Sequence, residues 1–426
     1  MVGQLGARSP SPGLKPSSKN GGKSTREVYG RPGSTFLNVP IVCPTTVGTA
    51  LLLATLDVVS WTSDGPAYRY FFAIAWLVLA FAVDGALAGR QRRLRIGVVL
   101  CVYLLGLWIV GIFAVAILTK NWAPDSFVIL AGVLAILMAP IAYFALPARA
   151  RWRPSMERFY RLATFLFACA ALMDAFLTPA GMQPVLLGHE KAYLAVVALA
   201  VPKFRGSALM KVIVIAALAI AFMKYPSATV GFVAIVACVC VWLIFAETRT
   251  SLIIRATGLV VCFAVISYNA ADWVARFYSA AGRVDNTSTR LGLWDQALVT
   301  ISKNPITGST ASEPITGLAN IRGIIQPVPF HNSFLTLAFC CGVVAVVLFG
   351  ILLIALLIAC LSSHLAQRRA AVIWLPALFA GVITMSVNPV LERLGTALPL
   401  YALILCATPL MSPSTEDTNP IEDVIR

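Results

Sequence analysis

A polar stretch between two apolar segments, residues 271–330, contains no cysteine, carries Arg290 and runs into Phe330-His331-Asn332-Ser333-Phe334. These residues are the best suited in the chain to do chemistry. Asn286-Thr287-Ser288-Thr289 supplies N-cap residues, after which Leu291, Trp294, Leu298 and Ile301 recur at helical spacing. Asp295, Gln296 and Thr300 take the other face, so an amphipathic helix of about three turns is expected. It stops at Asn304-Pro305, with Gly308 following as a turn residue. Arg290 falls in the first turn with its head free to project, where a cation opposes the helix dipole. Such a residue either has an anionic partner or is an ordinary surface arginine. His331 follows the turn-forming Gln326-Pro327-Val328-Pro329 and caps the next apolar segment, where an imidazole titrating near neutral pH can move a proton.

The other candidates are weaker. His364, in the basic Ser363-His364-Leu365-Ala366-Gln367-Arg368-Arg369, reads as a solvated loop residue. His189, in Leu187-Gly188-His189-Glu190-Lys191, sits at a membrane edge and either serves a site or marks the interface. Asp57, Asp84 and Asp174 fall within or at the ends of apolar segments, where a charge costs several kcal/mol unless paired or wet. All three lie near segment ends, and for Asp84 a structural role is expected. The ten cysteines lie almost wholly in apolar runs and read as small packing residues; Cys238-Val239-Cys240 has no histidine in its run and no zinc spacing.

The elements that must position these side chains are membrane helices. The chain is 59% hydrophobic and 12% charged, a balance that no soluble domain of 426 residues carries. A hydrocarbon core about 30 Å thick needs roughly 20 apolar residues per helix. Twelve runs qualify: 42–62, 70–88, 96–118, 126–146, 162–178, 191–201, 208–224, 228–246, 254–270, 332–362, 370–388 and 396–411. The sixth is short and must be extended or be partly buried in protein. The expected fold is an all-α polytopic membrane protein. Basic residues in short loops stay inside. Arg90 to Arg95, the arginines of 149–161, Lys203 and Arg205, Arg249 and Arg255, and Arg368 and Arg369 then give an N-in, C-in topology with 271–330 outside. Residues 1–40 form a disordered basic cytoplasmic tail, 41–270 helices one to nine, 271–330 the outer loop, 331–411 helices ten to twelve, and 412–426 an acidic cytoplasmic tail. The formal charge of +15 is accounted for by this bias and the basic tail, with no nucleic acid partner.

The run Arg290-x-x-x-Trp294-x-x-Ala297-Leu298-x-x-Ile301-x-x-Asn304-Pro305-x-x-Gly308, then His331-Asn332-Ser333-Phe334-Leu335 opening a segment with Gly342, resembles the signature loop of the O-antigen ligase and O-antigen polymerase superfamily. Gly188 to Ala195 resembles the family's glycine-then-lysine stretch, and Ser227-Ala228-Thr229 falls where the family often has Ser-Arg-Thr. Ala228 thus replaces an arginine thought to hold the donor's diphosphate, and Thr310 stands at the second-glycine position. The likeness covers roughly residues 185–345.

The resemblance implies an inverting, metal-independent glycosyltransferase without cofactor. It would sit in the bacterial inner membrane with its active site facing the periplasm, and take a glycan from an undecaprenyl-diphosphate-linked oligosaccharide to an acceptor sugar hydroxyl. Implied partners are that donor, the glycan acceptor, membrane lipid, and flippase and chain-length regulator proteins. In that reading His331 is the base and Arg290 stabilises the diphosphate. Lys191, Lys224, Arg283 and Arg322 are secondary cations, with Trp294 and Asn332 binding substrate. The basic tail, the short helix connections and the missing arginine at 228 favour polymerisation of exopolysaccharide or O-antigen repeat units over ligation to lipid A-core. The rival classes are a secondary transporter or lipid flippase, and a scaffold subunit. Against the transporter, no half-to-half repeat is evident, nor are paired helices broken by Gly or Pro at matching positions.

Overall fold

The structure is a computed structural model that describes residues 43–407, less 60–67, 88–95, 124–125, 147–152, 201–204, 247, 269–275, 277–278, 280–286, 322 and 362–370. The two tails, Arg283, Arg322 and His364 lie outside the described residues.

Each of the twelve apolar runs contains a helix. In chain order these are α1 (Pro44–Val59), α2 (Tyr68–Leu87), α3 (Ile96–Leu118), α4 (Phe127–Ala145), α5 (Arg153–Leu177), α6 (Tyr193–Leu199), α7 (Ser207–Lys224), α8 (Ala228–Ile244) and α9 (Arg249–Tyr268). Helix α10 (Thr287–Lys303) lies in the polar stretch, followed by strands β1 (Thr316–Ile321) and β2 (Ile324–Pro329). Then come α11 (Ser333–Leu361), α12 (Leu375–Met385) and α13 (Leu394–Ala407). Among the described residues, five are by length and composition able to cross a membrane, at Ile96–Leu118, Val128–Ala145, Ser155–Leu177, Ser207–Lys224 and Ser333–Leu361. The chain is an all-α, multi-pass membrane protein.

Helix faces follow the solvent. On α11, Val343, Val347, Ile351, Ile354 and Ile358 are exposed at helical spacing, while Ala345, Phe349, Leu352, Leu356 and Ala359 are buried. An outward stripe of large aliphatic residues is what lipid, and not water, stabilises. Inside, α1 packs on α5 and α13, α2 on α4, α3 on α11, and α8 on α12. The short α6 resolves the doubt about its span: Tyr193 to Ala198 are buried in protein, and the Tyr193 hydroxyl donates to Thr396 O at 2.8 Å.

The acidic residues act as caps. Asp84 accepts from the N–H groups of Thr45 and Thr46 and from the Thr46 hydroxyl, closing the N-terminus of α1 as its structural reading required. Asp174 accepts from Val185, Leu186 and Leu187 N–H and so orders the connection into α6.

Helix α11 is not continuous. Gly342 (φ 80°, ψ 170°) breaks it, and the freed carbonyls are taken up from outside the helix. Phe339 O accepts Ser309 N–H at 2.7 Å, Cys340 O accepts Ala311 N–H at 3.1 Å, and Cys341 O accepts Trp108 Nε1–H at 2.8 Å. Val343 N–H in turn donates to Pro305 O at 2.8 Å. The segment after α10 is therefore plugged into the broken helix, which is how non-helical backbone is tolerated at such a place.

The polar stretch departs from expectation in three ways. Helix α10 runs 17 residues and not about three turns. Its buried face is Leu293, Ala297 and Ile301, while Leu291 and Leu298 are about half exposed. Helix α10 packs on β1 and α11, with Leu293 against Gly317 of β1, so the packed face is shifted from the expected one. Residues 326–329, read as a turn, form strand β2 of an antiparallel hairpin that turns at Gly323 and pairs Leu318 with Pro327. A two-stranded ribbon has only edge strands, where proline is tolerated. Gln296 pins the hairpin by donating to Leu318 O and accepting from Leu318 N–H, both at 2.9 Å.

Thr310 carries a left-handed backbone, φ 52°, a conformation costly for a β-branched residue. Thr310→Gly is expected to stabilise the protein by about 1 kcal/mol. Thermal unfolding in detergent measures this, and an unchanged or lower midpoint counts against the strain.

Candidate functional site

Connections from distant parts of the chain meet at one end of the bundle. Ala123 N–H donates to Ala311 O, Gly181 N–H to Lys224 O, and the Asn388 amide to the Thr229 hydroxyl at 3.2 Å. Arg393 forms an ion pair with Glu190 at 2.9 Å. Arg290 and His331 belong to this assembly.

His331 is held by its neighbours on both sides. Trp294 Nε1–H donates to Phe330 O at 2.7 Å, tying α10 to the residue before the histidine. Asn332 caps α11, its Oδ1 accepting from Leu335 N–H at 3.1 Å and its carbonyl from Thr336 N–H at 2.9 Å. Between these anchors His331 adopts φ 54°, left-handed backbone seldom seen outside glycine. Trp294 and Asn332, expected on the substrate, are thus engaged in positioning the histidine. Burial, reinforced by the charges of Arg290 and Arg393, pulls the His331 pKa down to about 4. The imidazole is therefore neutral at pH 7, and its buried Nδ1 has no partner among the described residues.

Arg290 does not project freely as expected. Its Nη1–H donates to Val387 O at 3.3 Å, and its Nε is buried without a partner. Burial leaves the Nε donor unpaired among the described residues, a cost that a bound acceptor would offset.

The backbone that receives Arg290 belongs to the connection between α12 and α13, residues 386–393. This segment organises the site and carried no motif in the sequence reading. Glu392 is buried, with Oε2 2.8 Å from the Ser333 hydroxyl and Oε1 accepting from the Thr336 hydroxyl. Ser333 Oγ also accepts from Val390 and Leu391 N–H, at 2.8 and 3.0 Å. These contacts fasten the connection to the first turn of α11, two residues beyond His331. Burial pushes Glu392 up to about 7 against the lowering effect of the two hydroxyls. The signal available in the sequence was the adjacent charged pair Glu392-Arg393 between two apolar runs.

The secondary cations separate. Lys191 is buried beside Glu190, within electrostatic reach of Arg393. Lys224 caps another helix: its Nζ donates to Ala175 O, Phe176 O and Thr178 O at 2.7–2.9 Å, so all three of its donors serve the end of α5. This geometry gives it no donor for a diphosphate. His189 stacks on Tyr225, ring centroids 6.4 Å apart, at a small pocket lined also by Leu187, Leu218, Ala221 and Phe222. Ala228 opens α8, one residue before the Thr229 that meets Asn388.

Chemically, the site offers a neutral imidazole beside two arginines, a set suited to removing a proton next to a bound anion. No curated protein matches the chain. Residues 192–350 match the family model described as O-antigen ligase, a region that includes Arg290, Trp294, Gly308, His331 and Gly342 and stops short of 386–393. The match makes this region similar to the O-antigen ligase and polymerase superfamily, whose members are membrane glycosyltransferases in general.

Proposed function

We propose that the protein transfers a glycan from an undecaprenyl-diphosphate carrier to a sugar hydroxyl at the periplasmic face of the inner membrane, polymerising exopolysaccharide or O-antigen repeat units. The observation that carries this reading is the convergence of neutral His331 and half-buried Arg290, each with a buried nitrogen that lacks a partner among the described residues. A lipid diphosphate supplies oxygens for Arg290, and an acceptor hydroxyl supplies a proton for His331.

In the reaction, His331 takes the acceptor proton as the acceptor oxygen bonds to the anomeric carbon. The bond from that carbon to the diphosphate oxygen breaks, the configuration inverts, and the electron pair leaves on the lipid diphosphate. Arg290 stabilises the charge that develops there, in a site where water is scarce and each N–H counts for more. Arg393 and Arg290 oppose protonation of His331 in the empty site. A bound diphosphate neutralises those charges and makes the imidazole a stronger base when the donor is in place.

The description of the matched family gives weight to a second reading, ligation to lipid A-core. Glycan profiling in a strain lacking the gene separates the two. Single repeat units held on the carrier identify a polymerase, and long chains held on the carrier with none on lipid A-core identify a ligase. Complementation with Arg290→Ala at matched membrane abundance is expected to lower polymer by about 10²–10³-fold, the effect of removing one donor to a developing oxyanion. Normal glycan from that variant would return the transporter or scaffold reading to first place.

A further inference from the structure

Arg393 has one contact and a largely open head. Its Nη1–H meets Glu190 Oε2 at 2.9 Å, and its side chain is 53% exposed against 11% for Glu190. A guanidinium has five N–H donors, and among the described residues this pair is the single engagement of the Arg393 head.

Its backbone, by contrast, is fixed. The Arg393 carbonyl accepts from Ala397 N–H at 2.8 Å and from the Thr396 hydroxyl at 2.9 Å, and the preceding Glu392 is fastened to Ser333 and Thr336. The same connection receives Arg290 at Val387, an arginine whose buried Nε donor has no partner among the described residues, and reaches α8 through Asn388. An arginine with a rigid root, a tethered tip and free donors, on the connection that also receives Arg290, is built to receive an oxyanion.

We propose that Arg393 is a second diphosphate-binding residue of the transfer site, held toward Arg290 and His331 by Glu190. The proposal rests on the transferase reading and extends it to a residue outside the matched family region. A diphosphate has two phosphate groups, and two forks can share them, each in bidentate fashion. Glu190 needs only one of the Arg393 donors, so the tether survives when the anion binds. The carboxylate also offsets the cation in the empty site and so competes mildly with the incoming phosphate. Opposed to this is a latch, in which the pair merely joins the connection before α6 to the one before α13.

The experiment is titration of the full-length protein in detergent micelles with inorganic pyrophosphate and, separately, undecaprenyl diphosphate. Arg393→Gln is expected to weaken both by about tenfold or more, and Arg393→Lys by about threefold, because a point charge replaces the fork. Glu190→Gln retains the tether's oxygen and is expected to tighten pyrophosphate binding by about twofold or more as the competing charge disappears. If Arg393→Gln yields no folded protein, Glu190→Gln decides alone. Wild-type protein that fails to bind pyrophosphate, Arg393→Gln that binds as wild type, or Glu190→Gln that binds more weakly than wild type would each overturn the assignment. Failure of the transferase reading looks different: wild-type protein that binds pyrophosphate with the Arg393 dependence described, yet transfers no glycan.

Discussion

Replacing His331 by alanine or asparagine is expected to lower glycan transfer by about 10²–10⁴-fold, the usual contribution of a positioned proton acceptor. Asparagine is the more telling variant. His331 sits at φ 54°, and asparagine accepts left-handed backbone more readily than alanine, so lost activity with intact fold points at the imidazole itself. The pH dependence carries a defined sign. Burial first, then Arg290 and Arg393, hold the free-protein pKa down to about 4, so the base is unprotonated and competent at every pH above that value. A bound diphosphate offsets the two cations, which raises the pKa. The acid limb of kcat should therefore lie at higher pH than that of kcat/KM for the donor, the first reporting the complex and the second the free protein. Transfer that persists at wild-type rate in His331→Asn would remove the histidine from the reaction.

Gly342→Ala is expected to detach the outer loop from α11 and abolish function together with much of the folded yield. A Cβ there would lie 1.7 Å from Ile306 O, backbone that cannot rotate away, and φ 80° with ψ 170° is a region that glycine alone occupies readily. Strain of this kind costs roughly 1–3 kcal/mol before the steric clash is counted. The alternative conformation, a continuous helix, would reclaim the carbonyls of Phe339, Cys340 and Cys341 and leave Ser309, Ala311 and Trp108 without acceptors. Gly350→Ala in the same helix serves as the control, since nothing lies within 4 Å of its added methyl. Limited proteolysis of membranes checks this. Cleavage between 304 and 332 should rise sharply in Gly342→Ala and stay at wild-type level in Gly350→Ala. Equal protection of both variants would show that the plug does not depend on the break.

Much of the architecture was legible because its signals are local. Apolar runs mark the helices wherever a membrane must be crossed, and the N-cap run before Arg290 with Asn304-Pro305 after it marks the place of α10, though not its full length. The hairpin was missed for an equally local reason. Prolines 327 and 329 carry a turn signal, yet their fixed φ also suits an edge strand, and only pairing with 316–321 decides between the two. The packed face of α10 was misjudged because Leu293 and Leu291 are the same residue type. Which of them is buried depends on where β1 packs, with its Gly317 against Leu293.

Residue type and spacing by themselves determined that this chain is a bundle of membrane helices with one large polar insert, and put forward His331 and Arg290 as its candidate chemical groups. Tertiary structure alone decided what surrounds them. Arg290 meets a carbonyl 97 positions away, and Glu190 meets Arg393 across 203 positions. No periodicity or motif reports such contacts, because the interior and lipid-facing sides of a membrane helix have much the same composition. Helix packing fixes which connections meet. That packing gave Lys224 to a helix end, drew Trp294 and Asn332 into holding the histidine, and placed the unremarked segment 386–393 at the centre of the site.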